Sequence, residues 1–535
     1  MTTQVARRID TMRIAAIDIG SNSIRQIVAD VSPDGEIFVL DEMKAAPRLG
    51  RGLDRTGELQ PEAMDAALEA LGRMALLARQ MGASRVDAVA TSAVRDATNS
   101  PLFLERIRRE AKLRVRLLNG EDEARLSFRS ALAHFDLGAG RAVVMDIGGG
   151  SLEIAASVDG VIELLTSLPL GAIRLTERFF SKDTSPRRLR ELREEARDAV
   201  KPVLPLRDWR GAQLIGSGGT FTNLAGMQLA RQGVQAARSV HGTVVPRADL
   251  EHLIARLRVL SPAERAAMPG LNPGRADIML AGLAVVAEVM ARLEARELVV
   301  SRYGIREGIL LEAARVRPAI ADPGEARERS VRELAERCRF EESHAKTVQR
   351  LALRLFDRLG PRLGCTAEDR ALLSDAALLH DVGYHISYDR HHKHSYHLIA
   401  HADLLGMSPV DQIMIANVAR YHRGARPKKR HRNFGQLDRS LRSRVKVLAA
   451  ILRVADGLDR GHAGSVQDVT VRWTRRAVRI TPQPASSRPA SSLSLELWGA
   501  HRKSALLDRV AGMPIEIVAP NGAVLRSDQI SDNAA

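Results

Sequence analysis

RIAAIDIG at residues 13–20 is an apolar run that ends in an aspartate and a glycine turn, and AVVMDIGGGS at residues 142–151 repeats the pattern. Asp18 and Asp146 hold equivalent places in the two copies, about one domain length apart. An apolar run that enters a glycine turn predicts a buried strand followed by a tight loop. We therefore expect two similar halves that face each other across a cleft.

Roughly the first 310 residues alternate between segments typical of strands and segments typical of helices. Residues 61–81 predict an amphipathic helix, and VDAVAT at residues 86–91 predicts a strand. LIGSGGT at residues 214–220 predicts a third strand followed by a glycine turn. This alternation is typical of a layered α/β fold.

The rest of the chain begins after a break rich in proline and glycine at residues 317–324. Residues from about 326 to 460 have a helical pattern, whereas VTVRW (469–473) and LSLEL (493–497) alternate like half-buried strands around a predicted loop at 482–492. The sequence thus predicts four parts: residues 1–130 and 131–316 as the halves of the α/β core, 325–462 as a helical domain, and 465–535 as a small α/β domain.

The composition indicates a globular protein that attracts polyanions. The 535 residues include 80 Lys and Arg against 64 Asp and Glu, a net charge of +16, which suits nucleic acid, polyphosphate, nucleotides or an anionic membrane. Aromatic residues are only 3%, which argues against a base-stacking surface, and no specific nucleic-acid partner is expected. Two cysteines cannot form a disulfide framework, and no apolar run could span a bilayer, so a cytoplasmic enzyme is expected.

Four short segments carry the groups that phosphate binding needs. They are DIGSNS (18–23), TSAVR (91–95), DIGGGS (146–151) and GSGGT (216–220). Glycines let backbone N–H groups approach phosphate oxygens, hydroxyls add donors, and a guanidinium such as that of Arg95 can bind two oxygens at once. Three such turns after strands indicate a phosphate-binding cleft, as found in sugar kinases, chaperone ATPases and phosphohydrolases.

Hydrolysis at a phosphate also needs a base that activates water and usually a divalent cation that offsets the phosphate charge. NGEDEARL (119–126) is an acidic turn before a helix, and its first acids suit the positive end of the helix dipole. Glu123 lies further along and could point into the cleft. Glu153 follows Asp146 on the strand that leaves the second glycine turn, and these two acids could hold Mg²⁺ or Mn²⁺ together with Asp18.

Seven motifs occur in an order that resembles the exopolyphosphatase / guanosine pentaphosphate phosphohydrolase family. They are DIGSNS, TSAVR, NGEDEARL, MDIGGGSLE, GSGGT, GRADIMLAG (274–282) and YGIREGIL (303–310). The resemblance covers nearly the whole chain. It implies a duplicated actin-like (ribonuclease H-like) core, an all-helical HD-like domain, a small α/β C-terminal domain, and a homodimer.

The same resemblance assigns roles by position. Glu123 matches the general base, and Asp146 and Glu153 match the acids around the metal and the attacking water. The residues that match phosphate contacts are Ser21, Asn22, Ser23, Arg95, Gly148, Gly149, Ser151, Gly218, Gly219 and Thr220. Asn119 stands where the family usually has serine, and because asparagine serves the same turn we expect no loss of function.

The helical third carries a second set of candidate ligands. His344, His380, Asp381 and Asp456 follow the H…HD…D order of HD-type metal phosphohydrolases, which predicts a second divalent metal there. The resemblance implies that some relatives have lost these ligands, but all four are present here. Separately, residues 420–432 contain seven Lys and Arg and no acid, which indicates either a solvated loop or a track for a polyanion.

We therefore expect an exopolyphosphatase that removes the terminal phosphate of inorganic polyphosphate. The alternative is conversion of guanosine pentaphosphate (pppGpp) to ppGpp, because both substrates present a terminal phosphoanhydride to the same loops. Two rival classes are an actin-like kinase, which would phosphorylate an acceptor from ATP, and a non-catalytic polyanion-binding regulator, which would release no phosphate.

Overall fold

The computed structural model describes residues 11–524 except 34, 235–238, 317–322, 403, 405–406 and 487–492. The chain forms two compact units: a first unit of residues up to 230 with 240–323, and a second unit of residues 231–239 with those from 324 onward. Most of the predicted linker at 317–324 lies outside the described residues.

A five-stranded sheet begins the first unit. Its strands are β1 (Met12–Ile19), β2 (Ile24–Val31), β3 (Ile37–Ala45), β4 (Arg85–Ala90) and β5 (Val115–Leu117), in the order β3-β2-β1-β4-β5. β1 pairs antiparallel with β2 and parallel with β4. The accompanying helices are Leu53–Thr56, Pro61–Gln80, Ser92–Asp96, Ser100–Arg106 and Gly120–Leu132, with a π-helical turn at Ile107–Ala111.

A six-stranded sheet completes the first unit. Its strands are β6 (Arg141–Ile147), β7 (Leu152–Val158), β8 (Val161–Leu168), β9 (Gln213–Ser217), β10 (Thr243–Pro246) and β11 (Glu297–Val300), in the order β10-β11-β9-β6-β7-β8. Counted from β8, the strands β8-β7-β6-β9-β11 correspond to β3-β2-β1-β4-β5 of the first sheet, and β10 is an additional strand at the far edge. The helices are Ala172–Phe179, Pro186–Val200, Leu206–Trp209, Gly219–Arg231, Arg247–Val259, Pro262–Ala266, Met279–Arg292 and Ile305–Ala313, with a 3₁₀ turn at Pro273–Arg275. The predicted duplicated α/β core is confirmed.

The two copies also match in register at their first hairpin. Asp18 faces Arg25 across β1 and β2, and Asp146 faces Glu153 across β6 and β7. Equivalent positions therefore carry a cation in the first copy and an acid in the second. Both β1 and β6 are buried along most of their length, as expected for strands covered by helices on both faces.

The second unit is helical and ends in a small sheet, as predicted. Its helices are Pro323–Arg337, Glu342–Leu359, Ala367–Leu379, His391–Ala400, Pro409–Arg420, Arg432–Gly435, Arg439–Gly457 and Ser494–Ala511, with 3₁₀ turns at Gly360–Leu363 and Val382–His385. The sheet consists of β12 (Val466–Trp473), β13 (Val478–Pro484) and β14 (Ile515–Ile517), with β13 antiparallel to β12 and parallel to β14. Among the described residues, no helix is both long and apolar enough to cross a bilayer.

The predicted strand at residues 493–497 is wrong, because LSLEL opens the helix Ser494–Ala511. Five residues of alternating pattern cannot separate a strand from the first turn of a helix. The buried positions Leu497, Ala500 and Leu507 recur at intervals of three and seven, which is a helical spacing. The predicted loop at 482–492 is also partly wrong, since its first three residues belong to β13 and residues 487–492 lie outside the described part.

Candidate active site

The glycine turns that follow β1, β6 and β9 converge on one cleft within the first unit. The cleft is lined by these turns, by Ser92, by the carboxylates Asp18, Glu123, Asp146, Glu153 and Glu307, and by the guanidinium groups of Arg25, Arg275, Arg302 and Arg306. The structure thus brings together the candidate catalytic acids, the candidate magnesium ligands and most of the candidate phosphate contacts from both halves of the duplicated core.

Two of the glycines are required by close packing. Gly218 has a φ of 87°, and a Cβ added there would lie 2.3 Å from Oδ1 of Asp146. A Cβ on Gly149 would lie 2.7 Å from Cβ of Ser21, which belongs to the first glycine turn. The turns therefore approach each other and the carboxylate closely because they carry no side chains at these positions.

Neighbouring hydroxyls orient the buried acids. Oδ2 of Asp146 accepts hydrogen bonds from Oγ of Ser217 at 3.0 Å and from Oγ of Ser127 at 3.4 Å. Oε1 of Glu153 accepts one from Oγ of Ser167 at 2.8 Å. In contrast, Oδ1 of Asp18 is buried and has no hydrogen-bond partner in the described structure. An orphaned carboxylate oxygen of this kind is costly unless a cation or donor from outside the chain reaches it.

The candidate base Glu123 lies in the first turn of the helix Gly120–Leu132. Asn119 caps this helix by accepting a hydrogen bond from the N–H of Asp122 at 2.8 Å, so asparagine does serve the turn. Glu123 is only 3% exposed, and its Oε1 pairs with Nη1 of Arg95. The same Nη1 also donates to the carbonyl of Leu118 at 3.0 Å, and this second hydrogen bond holds the guanidinium next to the carboxylate of Glu123.

Burial of these acids shifts their protonation. Burial, followed by the charge of Asp146, raises the pKa of Asp18 to about 6. Burial raises the pKa of Glu153 to about 7 and also raises that of Asp146. The pKa of Glu123 lies well above its ordinary value because of burial and then of the charge on Glu153. Carboxylates crowded in this way are short of positive charge, and such a set of oxygen donors fits a hard divalent cation such as Mg²⁺.

The lining arginines were not singled out from the sequence. Arg25 is the β2 residue opposite Asp18, and the burial of its guanidinium lowers its pKa. Burial, followed by the charge of Arg25, lowers the pKa of Arg275 to about 10. Arg275 and Arg306 lie inside the motifs GRADIMLAG and YGIREGIL, and only that placement could have pointed to them. Buried cations of this kind suit a ligand with several negative charges.

Thr220 has a supporting position. Its hydroxyl is buried and donates to the carbonyl of Ile147 at 3.4 Å, which ties the helix Gly219–Arg231 to the end of β6. A Cβ on Gly219 would lie 2.4 Å from Nη1 of Arg275, so this glycine makes room for the guanidinium. The third glycine turn therefore positions an arginine as well as backbone donors.

In the second unit, the four predicted ligands lie close together. Nε2 of His380 lies 3.3 Å from Oδ2 of Asp381, and Nε2 of His344 lies 3.8 Å from the same oxygen. Nε2 of His344 is also 3.9 Å from Oδ1 of Asp456. The ligand atoms of His344, His380 and Asp381 lie within 4.8 Å of one another, as one divalent ion requires, and Asp456 adjoins them beside His344.

Comparison with known proteins identifies the family. Residues 27–316, more than half of the chain, match the Ppx/GppA phosphatase family, and residues 326–482 match domain III of that family. The chain belongs to the Ppx/GppA phosphatase family. The resemblance read from the seven motifs is thereby confirmed.

Relatives of this Ppx/GppA phosphatase carry two kinds of name. "Exopolyphosphatase 1" of Mycobacterium leprae is 33% identical over 305 residues, which cover 56% of this chain and 89% of that protein. "Guanosine-5'-triphosphate,3'-diphosphate pyrophosphatase" of Vibrio vulnificus is 28% identical over 412 residues, covering 76% and 80%. The crystal structure of an exopolyphosphatase from Cytophaga hutchinsonii is 28% identical with a TM-score of 0.53, covering 57% of this chain and 98% of that one.

The raised pKa of Asp18 predicts how the stability of this phosphatase depends on pH. The folded protein binds the proton more tightly than the unfolded chain, whose aspartate has a pKa near 3.8, so stability falls as pH rises from about 4 to about 6. In chelator, the wild type should lose about 2–3 kcal/mol over this range relative to Asp18→Asn. Denaturant unfolding at each pH measures the difference. Added Mg²⁺ should reduce it, and parallel curves for the two proteins would contradict the assignment.

Proposed function

We propose that the protein is an exopolyphosphatase, a metal-dependent hydrolase that releases the terminal phosphate of inorganic polyphosphate. One observation carries the proposal: a single cleft holds buried acids, glycine turns and arginines together. Glu123 and Glu153 lie beside the donors that would bind a phosphate. The family match and the relatives named exopolyphosphatase support the same activity. Processing of pppGpp remains the alternative, supported by the relative from Vibrio vulnificus.

In the proposed mechanism, the glycine turns donate backbone N–H groups to the terminal phosphate, and Ser21, Asn22, Ser23 and Ser151 add polar side chains. Gly148, Gly149, Gly218 and Gly219 supply the close approach, and Thr220 fixes the third turn. Arg25, Arg275 and Arg306 offset the charge of the following phosphates. These groups bind and orient the chain end so that its terminal phosphorus faces Glu123 and Glu153.

Glu123 takes the proton from the attacking water, and Glu153, held by Ser167, orients that water. The water attacks in line, the bridging P–O bond breaks, and the shortened chain leaves, with no phosphoenzyme. Asp18, Asp146 and Glu153 would hold Mg²⁺, or Mn²⁺ in its place, which neutralises phosphate charge and polarises the terminal group when bound. We further propose a cytoplasmic homodimer, four domains with the predicted boundaries, and a divalent ion on His344, His380, Asp381 and Asp456.

Isotope transfer tests hydrolysis against the rival classes. With polyphosphate in H₂¹⁸O, one ¹⁸O atom per released orthophosphate should appear in a single turnover, because water attacks directly. A kinase would transfer phosphate to an acceptor and incorporate no ¹⁸O, and a binding regulator would release no phosphate. Either outcome would refute the proposed reaction. Retention of configuration at a chiral terminal thiophosphate would refute direct attack without an intermediate, because a phosphoenzyme passes through two inversions at phosphorus.

Arg95→Ala should weaken both binding and rate. Arg95 pairs with Glu123 and lowers its pKa, so its loss leaves the base more fully protonated near neutral pH. We expect roughly a 10- to 100-fold fall in kcat/KM, as for loss of a hydrogen bond to a charged group, with a larger loss below neutral pH. Arg95→Lys is the matched control: it keeps the charge and should recover part of the pH profile. Unchanged KM and kcat in Arg95→Ala would leave Arg95 a structural residue.

The basic segment of residues 420–432 is a candidate track for long chains. Lys428, Lys429 and Arg430 are exposed, and no carboxylate of the described chain lies within ion-pair distance of them. Neutralising all three should weaken binding of long polyphosphate and lower the slope of log Kd against log salt by about 2, since fewer counterions are released. Hydrolysis of tripolyphosphate should barely change. Equal losses of activity on short and long substrates would contradict the track. The control is to neutralise Arg207, Arg210 and Lys201 in the first unit, which should leave the binding of long chains unchanged.

A further inference from the structure

The second unit contains a centre of six metal-ligating side chains, two more than the sequence motif predicts. They are His344, His380, Asp381, His391, His422 and Asp456. We propose that this centre binds a pair of divalent transition-metal ions bridged by Asp381. One ion would be held by His344, His380 and Asp456, and the other by His391 and His422. The proposal does not depend on the function proposed for the cleft.

Asp381 lies between two pairs of imidazoles. Its Oδ2 faces Nε2 of His380 at 3.3 Å and Nε2 of His344 at 3.8 Å. Its Oδ1 faces Nε2 of His391 at 3.1 Å and Nε2 of His422 at 3.3 Å. Ligand atoms that each lie about 2.1 Å from one ion are about 3–4 Å apart, so both groups have the separations of a coordination sphere. A carboxylate with each oxygen in a different sphere is a bridging ligand.

The imidazoles are already oriented for metal binding. Nδ1 of His380, His391 and His422 each faces the backbone carbonyl three residues earlier, at 2.8, 3.2 and 2.7 Å. Nδ1 of His344 faces Oδ2 of Asp459 at 2.8 Å. A carbonyl or carboxylate oxygen only accepts, so each Nδ1 donates, and the neutral ring directs the lone pair of Nε2 at the centre. This hydrogen bond from the second ring nitrogen is the usual support of a metal-binding histidine.

Hydrogen bonding within the chain explains only part of the arrangement. All four rings are nearly fully buried. Nε2 of His391 and Nε2 of His422 lie within hydrogen-bond distance of each other at 3.3 Å, but Nε2 of His344 and of His380 and Oδ1 of Asp381 have no hydrogen-bond partner in the described structure. Each neutral ring that donates through Nδ1 directs a lone pair at the carboxylate, and each ring protonated to supply a donor buries a further cation. Two metal ions remove both difficulties, because each Nε2 and each oxygen then has a positive partner.

The remaining groups indicate the class of ion. Oδ2 of Asp456 accepts a hydrogen bond from Nζ of Lys503, and Oδ1 lies on the side of His344. The side chains of Asp381 and Asp456 retain 16% and 11% exposure, so solvent reaches the centre through the carboxylates. Imidazole-rich sets with carboxylate favour zinc, iron, manganese or cobalt over magnesium. The ions are therefore expected to differ from the one proposed for the all-carboxylate cleft.

Metal stoichiometry on the full chain tests the pair. The chelator-stripped protein is titrated with Co²⁺ in excess Mg²⁺, which keeps the proposed ion of the cleft out of the count, and visible absorption should then rise up to about two equivalents per chain. Zn²⁺ reloading in the same buffer, followed by gel filtration and elemental analysis, should also give about two. His391→Ala/His422→Ala should retain about one. His401 is exposed and follows the helix that begins at His391, and His401→Ala should retain two ions. Asp146→Asn, in the cleft, should also retain two.

A break at one equivalent or none in the wild type would overturn the proposal, as would two ions retained by the double variant. The wild-type titration alone decides the matter if the double variant fails to fold. Circular dichroism of the metal-free proteins separates that failure from loss of a ligand, and a variant that is folded but holds neither ion would contradict the division into two ligand groups.

Discussion

Glu123→Gln should lower kcat by roughly 10²–10⁴ while leaving substrate binding nearly intact. The amide has almost the shape of the carboxylate but cannot accept a proton from water. The side chain is 3% exposed and lies in a capped first turn, so the substitution should leave its position unchanged. Polyphosphate hydrolysis and equilibrium binding of the substrate, measured on the same preparation, separate the two effects.

Glu121→Gln is the matched control for this prediction, since Glu121 is exposed in the same helical turn and should keep the wild-type rate. Glu123→Gln also removes one of the crowded buried acids, so the metal-free variant should unfold at a higher temperature than the wild type. A folded Glu123→Gln protein with a near-normal rate would exclude Glu123 as the base and leave Glu153 as the candidate.

Asp146→Asn should lower kcat/KM by roughly 10²–10³ and raise the Mg²⁺ concentration needed for half-maximal rate. A divalent ion contributes several kcal/mol to a charged transition state, and the variant removes a charge from the proposed ligands. The amide oxygen can still accept the hydrogen bonds from Ser217 and Ser127, so the local fold should persist. Rate measured against Mg²⁺ concentration tests this directly.

Asp136→Asn controls for the change of charge alone, because Asp136 is exposed and lies in the turn before β6. Its Mg²⁺ curve should overlay that of the wild type. If Asp146→Asn required no more Mg²⁺ than the wild type, Asp146 would not be a metal ligand, and the hydrogen bonds that it accepts from Ser217 and Ser127 would assign it a structural role.

The sequence predicts the parts of this cleft that depend on local pattern. A buried strand that ends in Asp and glycine is recognisable within ten residues, so the duplication around Asp18 and Asp146 could be found without coordinates. The register adds what the pattern omits: Arg25 and Glu153 are equivalent positions with opposite charges. Both residues lie seven positions after the aspartate, so alignment of the two copies shows the contrast, but only the register shows that each faces that aspartate across its hairpin.

The arginines and the extra histidines were missed for a related reason. Arg275 and Arg306 reach the cleft from segments far along the chain, and nothing in their immediate neighbourhood marks them as buried. His391 and His422 stand among several exposed histidines, and only the fold separates them by turning Nε2 toward Asp381. The strand predicted at 493–497 failed because an alternating run of five residues also fits a helical turn.

The boundaries at residues 130, 316 and 462 and the roles of the individual site residues stay predictions. The domain boundaries depend on linkers, and much of the one at 317–324 lies outside the described residues. The roles of the residues depend on the position of the substrate. The acids and the hydrogen-bond donors of the cleft limit the positions that a phosphate chain can take. Variants that separate binding from rate therefore carry more weight than further comparison of sequences.

The most direct test of the proposed function is orthophosphate release from long polyphosphate, tripolyphosphate, pppGpp and ATP, measured in parallel with Mg²⁺ and with chelator. We expect Mg²⁺-dependent release with the highest kcat/KM on long polyphosphate, a lower value on tripolyphosphate and pppGpp, the lowest on ATP, and loss of all four activities in Glu123→Gln. A clear preference for pppGpp would favour the alternative activity within the family. If only ATP with an acceptor were turned over, or if no substrate released phosphate, the account would be wrong.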